Sequence, residues 1–302
     1  MSYKFTNYKE GKKMSKNANL ILEGGGMRGL YTAGVLDFFH DKKINIYDIV
    51  GVSAGACNAV SYISGQRGRN LAINAGYCRD KRYMSLAGLF TRGSIFNMDF
   101  LFGDIPNELV PFDYEAYTNA PNRLTAVVTD CETGEPVYYR IKDMRSDDVY
   151  VRASSSIPLV SPIVEADGRK LVDGGTADSI PISYSVKKGF DKHIVILTQH
   201  NGYQKKPSKY MNLIQRRIKQ YPKLIEALKN RHISYNESLK LVHDLEKAGK
   251  AFVICPKEPL NISRFEKNTE KLKSVYNLGY NDAVARYNEL LEFISDCDNV
   301  EK

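Results

Sequence analysis

The chain's most chemically informative pattern is a serine between two glycines, Gly51-Val52-Ser53-Ala54-Gly55. It follows an apolar run, Ile46 to Val52, that reads as a strand, and it leads into a segment to about Ile63 that reads as a helix. On such a sharp strand-to-helix turn the serine hydroxyl is exposed, and Gly51 and Gly55 let the backbone bend without a Cβ clash. The helix N-terminus behind it favours developing negative charge. That is the setting of a serine nucleophile for acyl transfer.

A second pattern, Gly24-Gly25-Gly26-Met27-Arg28-Gly29, follows the short apolar run Asn19 to Leu22. Backbone N–H groups without side chains around them can point at a carbonyl oxygen as it becomes tetrahedral, and losing one such donor costs roughly 100- to 1,000-fold in turnover. The same letters spell GxGxxG, the fingerprint of dinucleotide sites, which requires an acidic residue about 20 positions on, at the end of the second strand. Asp48 lies near that distance but precedes Ile49-Val50, and Ser53 occupies the strand end, so the dinucleotide reading is set aside. Arg28 reads either as a solvent-facing arginine at a helix start or as a group that orients the loop and attracts an anionic head group.

The third pattern is Asp173-Gly174-Gly175 at the end of an expected strand, Lys170 to Val172. Alone it is only a turn; as a general base Asp173 must come within about 2.6–3.2 Å of Ser53. A Ser-His-Asp triad is the alternative, with His200 the better candidate and His193 more suited to a structural role. The five cysteines form no CxxC pair, and Cys57, four residues past Ser53, reads as a small buried helix residue. Neither they nor the five scattered histidines have metal-ligand spacing, so no metal is expected.

The elements that must position these groups read as strand, helix (Leu30 to His40), strand, helix, the order of a parallel sheet covered on both faces. Further strands are expected at Leu124 to Asp130, Val137 to Ile141 and Ile194 to Leu197, with a helix over Asp147 to Ser155. The aromatic segment Asn97 to Tyr117 is expected to pack over the sheet, an apolar substrate cleft being the alternative. From Tyr203 the texture turns helical and charged. Met211, Ile214, Ile218 and Tyr221 recur at helical spacing until Pro222, Ser234 to Gly249 reads as a helix, and Glu266 to Ile294 as another relieved by Gly279. Ala251 to Cys255 is a late strand expected to return to the main sheet. The division is a polar N-terminal extension (1–16), a catalytic domain (17–202) and a mostly helical C-terminal region (203–302) packed on the same sheet.

Composition is that of a globular protein, 43% apolar and 26% charged, with no run long enough to span a membrane and no signal-peptide core in Met1 to Lys16. A cytoplasmic protein is expected, able to sit peripherally on the inner membrane face. The stretch 205–231 carries the whole net charge of +8. It suits an anionic membrane surface, at about 1 kcal/mol per engaged basic residue, or is a solvated helix face. No recognition motif accompanies it, so nucleic acid is not expected.

GGGMRG, GVSAG and DGG in this order, with Ala153-Ser154-Ser155-Ser156-Ile157-Pro158 between the last two, resemble the patatin-like phospholipase family in its bacterial branch, over Leu20 to about Leu197. The region from Tyr203 resembles the extra C-terminal segment of a bacterial subgroup. The resemblance implies an α/β fold, a mainly parallel sheet flanked by helices in a three-layer sandwich. It also implies a Ser53–Asp173 dyad without histidine, an oxyanion hole in Gly24 to Gly29 centred on Gly25 and Gly26, and an acyl-enzyme. The substrates implied are phospholipids, lysophospholipids or simpler acyl esters, with no cofactor. Asp-Gly-Gly replaces the commoner Asp-Gly-Ala, a change toward the smaller residue. The competing class is a non-catalytic lipid- or protein-binding module on the same fold; oligomeric state is left open.

Overall fold

Apolar residues in the central strands alternate between two destinations, and that alternation builds the layers. The computed structural model describes residues 14–91 and 93–298. In β1 (Met14–Leu22) Leu20 and Leu22 face one cluster and Ile21 the other. In β7 (Lys192–Ile196) Ile194 and Ile196 oppose Val195, and in β8 (Ala251–Ile254) Phe252 and Ile254 oppose Val253. A strand apolar on both faces must be covered on both. One cover is made by α1 (Leu30–Asp41), α2 (Ala54–Ile63), α3 (Arg69–Tyr77) and the C-terminal helices Thr269–Ala285 and Tyr287–Asp298. The other comes from the helices Ile182–Lys187 and Pro222–Lys247. The result is the expected three-layer sandwich.

Among the described residues the sheet has eight strands. β1 pairs in parallel with β2 (Asn45–Val52) and β7, β2 with β3 (Arg123–Asp130), and β7 with β8. β4 (Pro136–Ile141) runs antiparallel along one edge of β3, from Leu124 to Thr129. The other edge of β3 is shared end to end by β2, whose Val52 lies opposite Val127, and antiparallel β6 (Arg169–Asp173), whose Asp173 lies opposite Val128. The carboxyl ends of β2 and β6 therefore meet on consecutive rungs. β5 (Val164–Ala166), not anticipated from sequence, pairs with β6.

Several boundaries differ from expectation. β1 begins at Met14, and Met14 and Ser15 pair with Asn45 and Ile46 beyond an irregularity, so the strand extends into the expected N-terminal extension. Residues 1–13 lie outside the described residues. Pro222 does not interrupt a helix; it opens one of 26 residues, at the position where its missing N–H has no partner to lose. The final helical segment breaks at Arg286 rather than Gly279. Gly279 instead faces Gly34 of α1: a Cβ at either would overlap a backbone carbonyl of the other helix, Tyr31 O or Tyr276 O. β8 joins the sheet beside β7, as read from its apolar run. Among the described residues no helix is long and apolar enough to cross a membrane.

Candidate active site

Ser53 stands between β2 and α2 with φ +55° and ψ −123°, a conformation L-residues seldom adopt and which costs about 1–3 kcal/mol. The surroundings hold it there. Its N–H donates to Ser154 Oγ at 2.8 Å. Gly55 packs so closely on the end of β1 that a Cβ would overlap Leu22 O, and Gly51 is similarly close to Ala56. The bend is thus over-determined by tertiary contacts, and the serine it carries is buried rather than exposed as its sequence pattern suggested.

Asp173 ends β6, buried, and its carboxyl group shares a cavity wall with Ser53, whose hydroxyl helps to hold its charge. Its Oδ1 also accepts the Gly175 N–H at 2.7 Å, and its own N–H donates to Ser156 O at 2.8 Å. Burial raises the Asp173 pKa above the ordinary aspartate value; the positive charge of Arg231 and the hydrogen bonds from Ser53 and Gly175 pull it partly back. A carboxylate whose proton affinity has risen is a better base for a serine hydroxyl. Ser154 and Ser156 thus tie the serine and the aspartate to one segment, a positioning role that sequence reading noted only as a family mark.

The glycine loop is pinned along its length. Thr198 Oγ1 donates to Gly24 O at 2.9 Å, Arg28 N to Gly25 O at 3.3 Å, and Asn58 Nδ2 to Gly29 O at 2.7 Å. The Met27 N–H donates to Arg264 O at 3.2 Å, so it is committed to the scaffold. Among the described residues, no protein acceptor takes the N–H of Gly24, Gly25, Gly26 or Ala54. Gly26 has φ +57° with Arg264 packed against it, which only glycine satisfies without strain.

Two cavities meet at Ser53. The larger, about 160 Å³, runs past Met27, Cys57, Ile73, Phe96, Phe102 and Phe112. The smaller, about 30 Å³, holds Asp173, Gly24, Gly25, Arg28, Lys205 and Arg231 among its walls, with Arg264 and Tyr235. Gly26, Ser53 and Ile157 line both. The aromatic segment divides between two places: Phe100, Ile105 and Tyr117 are buried over the sheet, as expected, while Leu101, Phe102, Pro106 and Tyr114 border the larger cavity. Cys57 is half-buried in that wall, its Sγ 3.4 Å from Ser155 Oγ, and burial raises its pKa.

Neither histidine candidate lines either of these two cavities. His193 is buried in β7 with Nδ1 2.9 Å from Ser185 Oγ, and burial lowers its pKa to about 4. His200 is half-buried and its Nδ1 lies 2.7 Å from Asn201 O.

Sequence reading missed the polar wall beside the aspartate. Glu23 is buried, accepting from Thr198 N at 2.7 Å and Tyr235 Oη at 2.8 Å. A charged residue ending an apolar strand just before three glycines was its only local signal. Lys205 and Arg231 belong to the basic stretch read as a surface face, yet they turn inward. Lys206, Lys209, Arg216, Arg217, Lys219, Lys223 and Lys229 are exposed. The apolar side of that stretch, Ile214, Ile218, Tyr221 and Leu224, packs on Cys131 and Val172, next to Asp173.

Comparison with known proteins places this geometry in context. The patatin-like phospholipase family matches residues 20–186, more than half of the chain. A second family, described as a domain of unknown function (DUF6363), matches residues 221–295. The chain is similar to YjjU of Escherichia coli (strain K12), an uncharacterized protein, at 25% identity over 267 residues, 86% of this chain and 74% of that protein. It is similar to lysophospholipase NTE1 of Eremothecium gossypii at 28% identity over 179 residues, 54% of this chain but 11% of the fungal protein. Among solved structures, VipD from Legionella pneumophila aligns over 93% of this chain and 67% of its own, with 12% identity and a TM-score of 0.44.

Proposed function

The chain belongs to the patatin-like phospholipase family, and from that premise we propose that it is a serine acyl hydrolase cleaving carboxylic esters of lipids through Ser53 and Asp173. Membership supports lipid hydrolysis; the name of the fungal relative, a lysophospholipase, points to monoacyl phospholipids as substrates. The observation that carries the mechanistic reading is the placing of Ser53 and buried Asp173 on one cavity wall, where β2 and β6 end on consecutive rungs of β3 and two cavities join.

In this reading the acyl chain enters the larger cavity and the ester carbonyl stops at Ser53. Asp173 accepts the hydroxyl proton as Oγ attacks the carbonyl carbon. The oxyanion is held by free N–H groups of Gly24 to Gly26 and Ala54, fixed in place before reaction and so costing little reorganisation. Collapse of the tetrahedral intermediate expels the alcohol, which takes the proton from Asp173, and leaves an acyl-enzyme. Water then gives its proton to Asp173 and attacks the acyl carbonyl, and the second intermediate releases the fatty acid as the proton returns to Ser53 Oγ. The seven exposed basic residues between Lys206 and Lys229, with exposed Tyr210 and Leu213 among them, suit peripheral contact with an anionic bilayer. Equal sedimentation with neutral and anionic vesicles at low salt would remove that part.

The test is hydrolysis of short- and long-chain p-nitrophenyl esters by wild type, Ser53→Ala and Asp173→Asn. Each variant, folded by circular dichroism, is expected to lose at least about 1,000-fold in turnover. Activity surviving Ser53→Ala would overturn the nucleophile. A wild type inert toward these and lipid esters, and unlabelled by a fluorophosphonate serine probe, would leave the binding-module reading.

A further inference from the structure

The smaller cavity beside Ser53 contains four cationic side chains: Arg28 from the glycine loop, Lys205, Arg231 and Arg264. Among the described residues, none of the four makes an ion pair with a carboxylate. Arg28 Nε is fully buried without a hydrogen-bond partner. Arg264 lends its backbone carbonyl to Met27 N, and among the described residues no hydrogen bond holds its guanidinium. The Lys205 ammonium lies 4.1 Å from the centre of the Tyr235 ring, again with no anion. Arg231 alone is anchored by hydrogen bonds, from Nε to Gly175 O and from Nη2 to Ser179 Oγ at 3.5 Å.

The acids nearby do not balance this charge. Glu23 is committed through both oxygens to Thr198 and Tyr235. Asp173 accepts from Gly175, and the two carboxylates together offset only part of four positive charges. The cations disfavour one another: burial, then the charge of Arg264, lowers the Arg28 and Arg231 pKa values, the latter to about 10. Lys205 falls to about 7, from burial and then the charges of Arg231 and Arg264. Three of the four, Lys205, Arg231 and Arg264, come from outside the residues the phospholipase family matches, and two of those lie within 221–295. The C-terminal region is thus the source of the charge.

Guanidinium groups match the oxygens of a phosphate in geometry and charge, and a space of about 30 Å³ has room for about two waters or one compact tetrahedral oxyanion. We propose that this cavity is a phosphate subsite built largely by the C-terminal region, selecting acyl esters whose alcohol carries a phosphate close to the scissile bond. The assignment rests on the acyl-hydrolase reading only for the position of the ester at Ser53. The acyl chain lies to one side of the serine, the phosphate to the other.

The decisive comparison is 1-octanoylglycerol 3-phosphate against 1-octanoylglycerol, which differ by the phosphate alone, below their aggregation limits. Wild type is expected to favour the phosphate ester in kcat/KM by about 100-fold or more, and Arg264→Gln and Lys205→Met each to cut that ratio by about 10- to 100-fold. Among the described residues neither side chain has a hydrogen-bonded partner, so both variants keep the scaffold. Inorganic phosphate should compete with the phosphate ester in wild type, and more weakly in the variants. Equal losses on both substrates would assign the cations to the oxyanion and overturn the subsite. A wild-type ratio near one, with inorganic phosphate changing kcat rather than KM, would make the ligand free phosphate and equally overturn it. Equilibrium binding of the same pair to Ser53→Ala reads the ratio without turnover. A high ratio there, with an inert wild type, would sink the hydrolase reading and keep the subsite; a ratio of one would sink the subsite alone.

Discussion

If acyl chains occupy the larger cavity, its size sets where added carbons stop helping. An apolar cavity of about 150 Å³ accommodates benzene, six carbons, and the cavity beside Ser53 is about 160 Å³. Each methylene buried contributes about 0.8 kcal/mol, about fourfold in kcat/KM. Across p-nitrophenyl esters from acetyl upward, kcat/KM should climb about fourfold per carbon until roughly six carbons lie beyond the carbonyl. The total gain is about two to three orders of magnitude at most, since part of the lining is polar (Asn58, Asn70, Asn74). Beyond that length the curve should flatten, because further carbons leave the enclosed space. Replacing Cys57, which borders the cavity one helical turn past the serine, by Phe should move the break to shorter chains. The assay is initial rates on esters of two to twelve carbons below their aggregation limits. A slope that persists unbroken to twelve carbons would mean an open groove, and no slope from the start would mean the acyl chain binds elsewhere. Either would refute the assignment.

Three other outcomes follow from individual groups. The acid limb of the kcat/KM–pH profile should titrate above the 3.8 of an ordinary aspartate, because Asp173 must be ionised to act and burial raises its pKa; a limb at or below 3.8 would deny it the role of base. Asp37 is buried in α1, accepting from Tyr276 Oη at 2.7 Å and Gly68 N at 2.9 Å, and burial raises its pKa to about 6. The folded state therefore holds a proton that the unfolded chain releases near 3.8, so stability is full below that pH and lost as pH rises through 6. Asp37→Asn should accordingly stabilise the protein by up to about 3 kcal/mol in urea melts at pH 7.5 and by little at pH 3.5; equal effects at both would refute the cause. Gly279→Ala should cost at least about 1–3 kcal/mol in the same melts, since the new methyl overlaps Tyr31 O where two helices touch, whereas Gly202→Ala, with nothing within reach of its Cβ, costs only the strain of its φ of +77°.

How far the sequence disclosed the fold depended on how local each cause is. The strands β2, β3, β4 and β7 were legible within about two residues because alternating burial is written in consecutive side chains. The serine turn was legible because a serine between glycines at the end of an apolar run is itself a local pattern, and Gly51 answers to Ala56 five residues on, although Gly55 answers to Leu22 of β1. Gly279 was misread for the opposite reason: its partner, Gly34, is 245 positions away, and nothing nearby distinguishes a close helix crossing from a helix break. The meeting of Ser53 with Asp173 lies at the limit. Each motif could be found alone, but their contact is set by β3, which carries Val52 on one rung and Asp173 on the next along the same edge. Only the order of motifs, read as a family resemblance, anticipated it.

The cations of the smaller cavity were harder still, and the reason bears on what they do. Periodicity marks apolar residues that face a core; it has no mark for a charged residue that turns inward, because the usual expectation for lysine and arginine is solvent. In the stretch 205–231 seven basic residues obey that expectation, which hid Lys205 and Arg231 among them. Holding such half-buried groups beside uncommitted backbone N–H donors, with only two carboxylates in the same wall, works against folding unless an anion offsets it. The residues least predictable from pattern are therefore those whose placement makes most sense with a ligand present. The C-terminal region that supplies three of them is better understood as part of the substrate site than as an appendage to it.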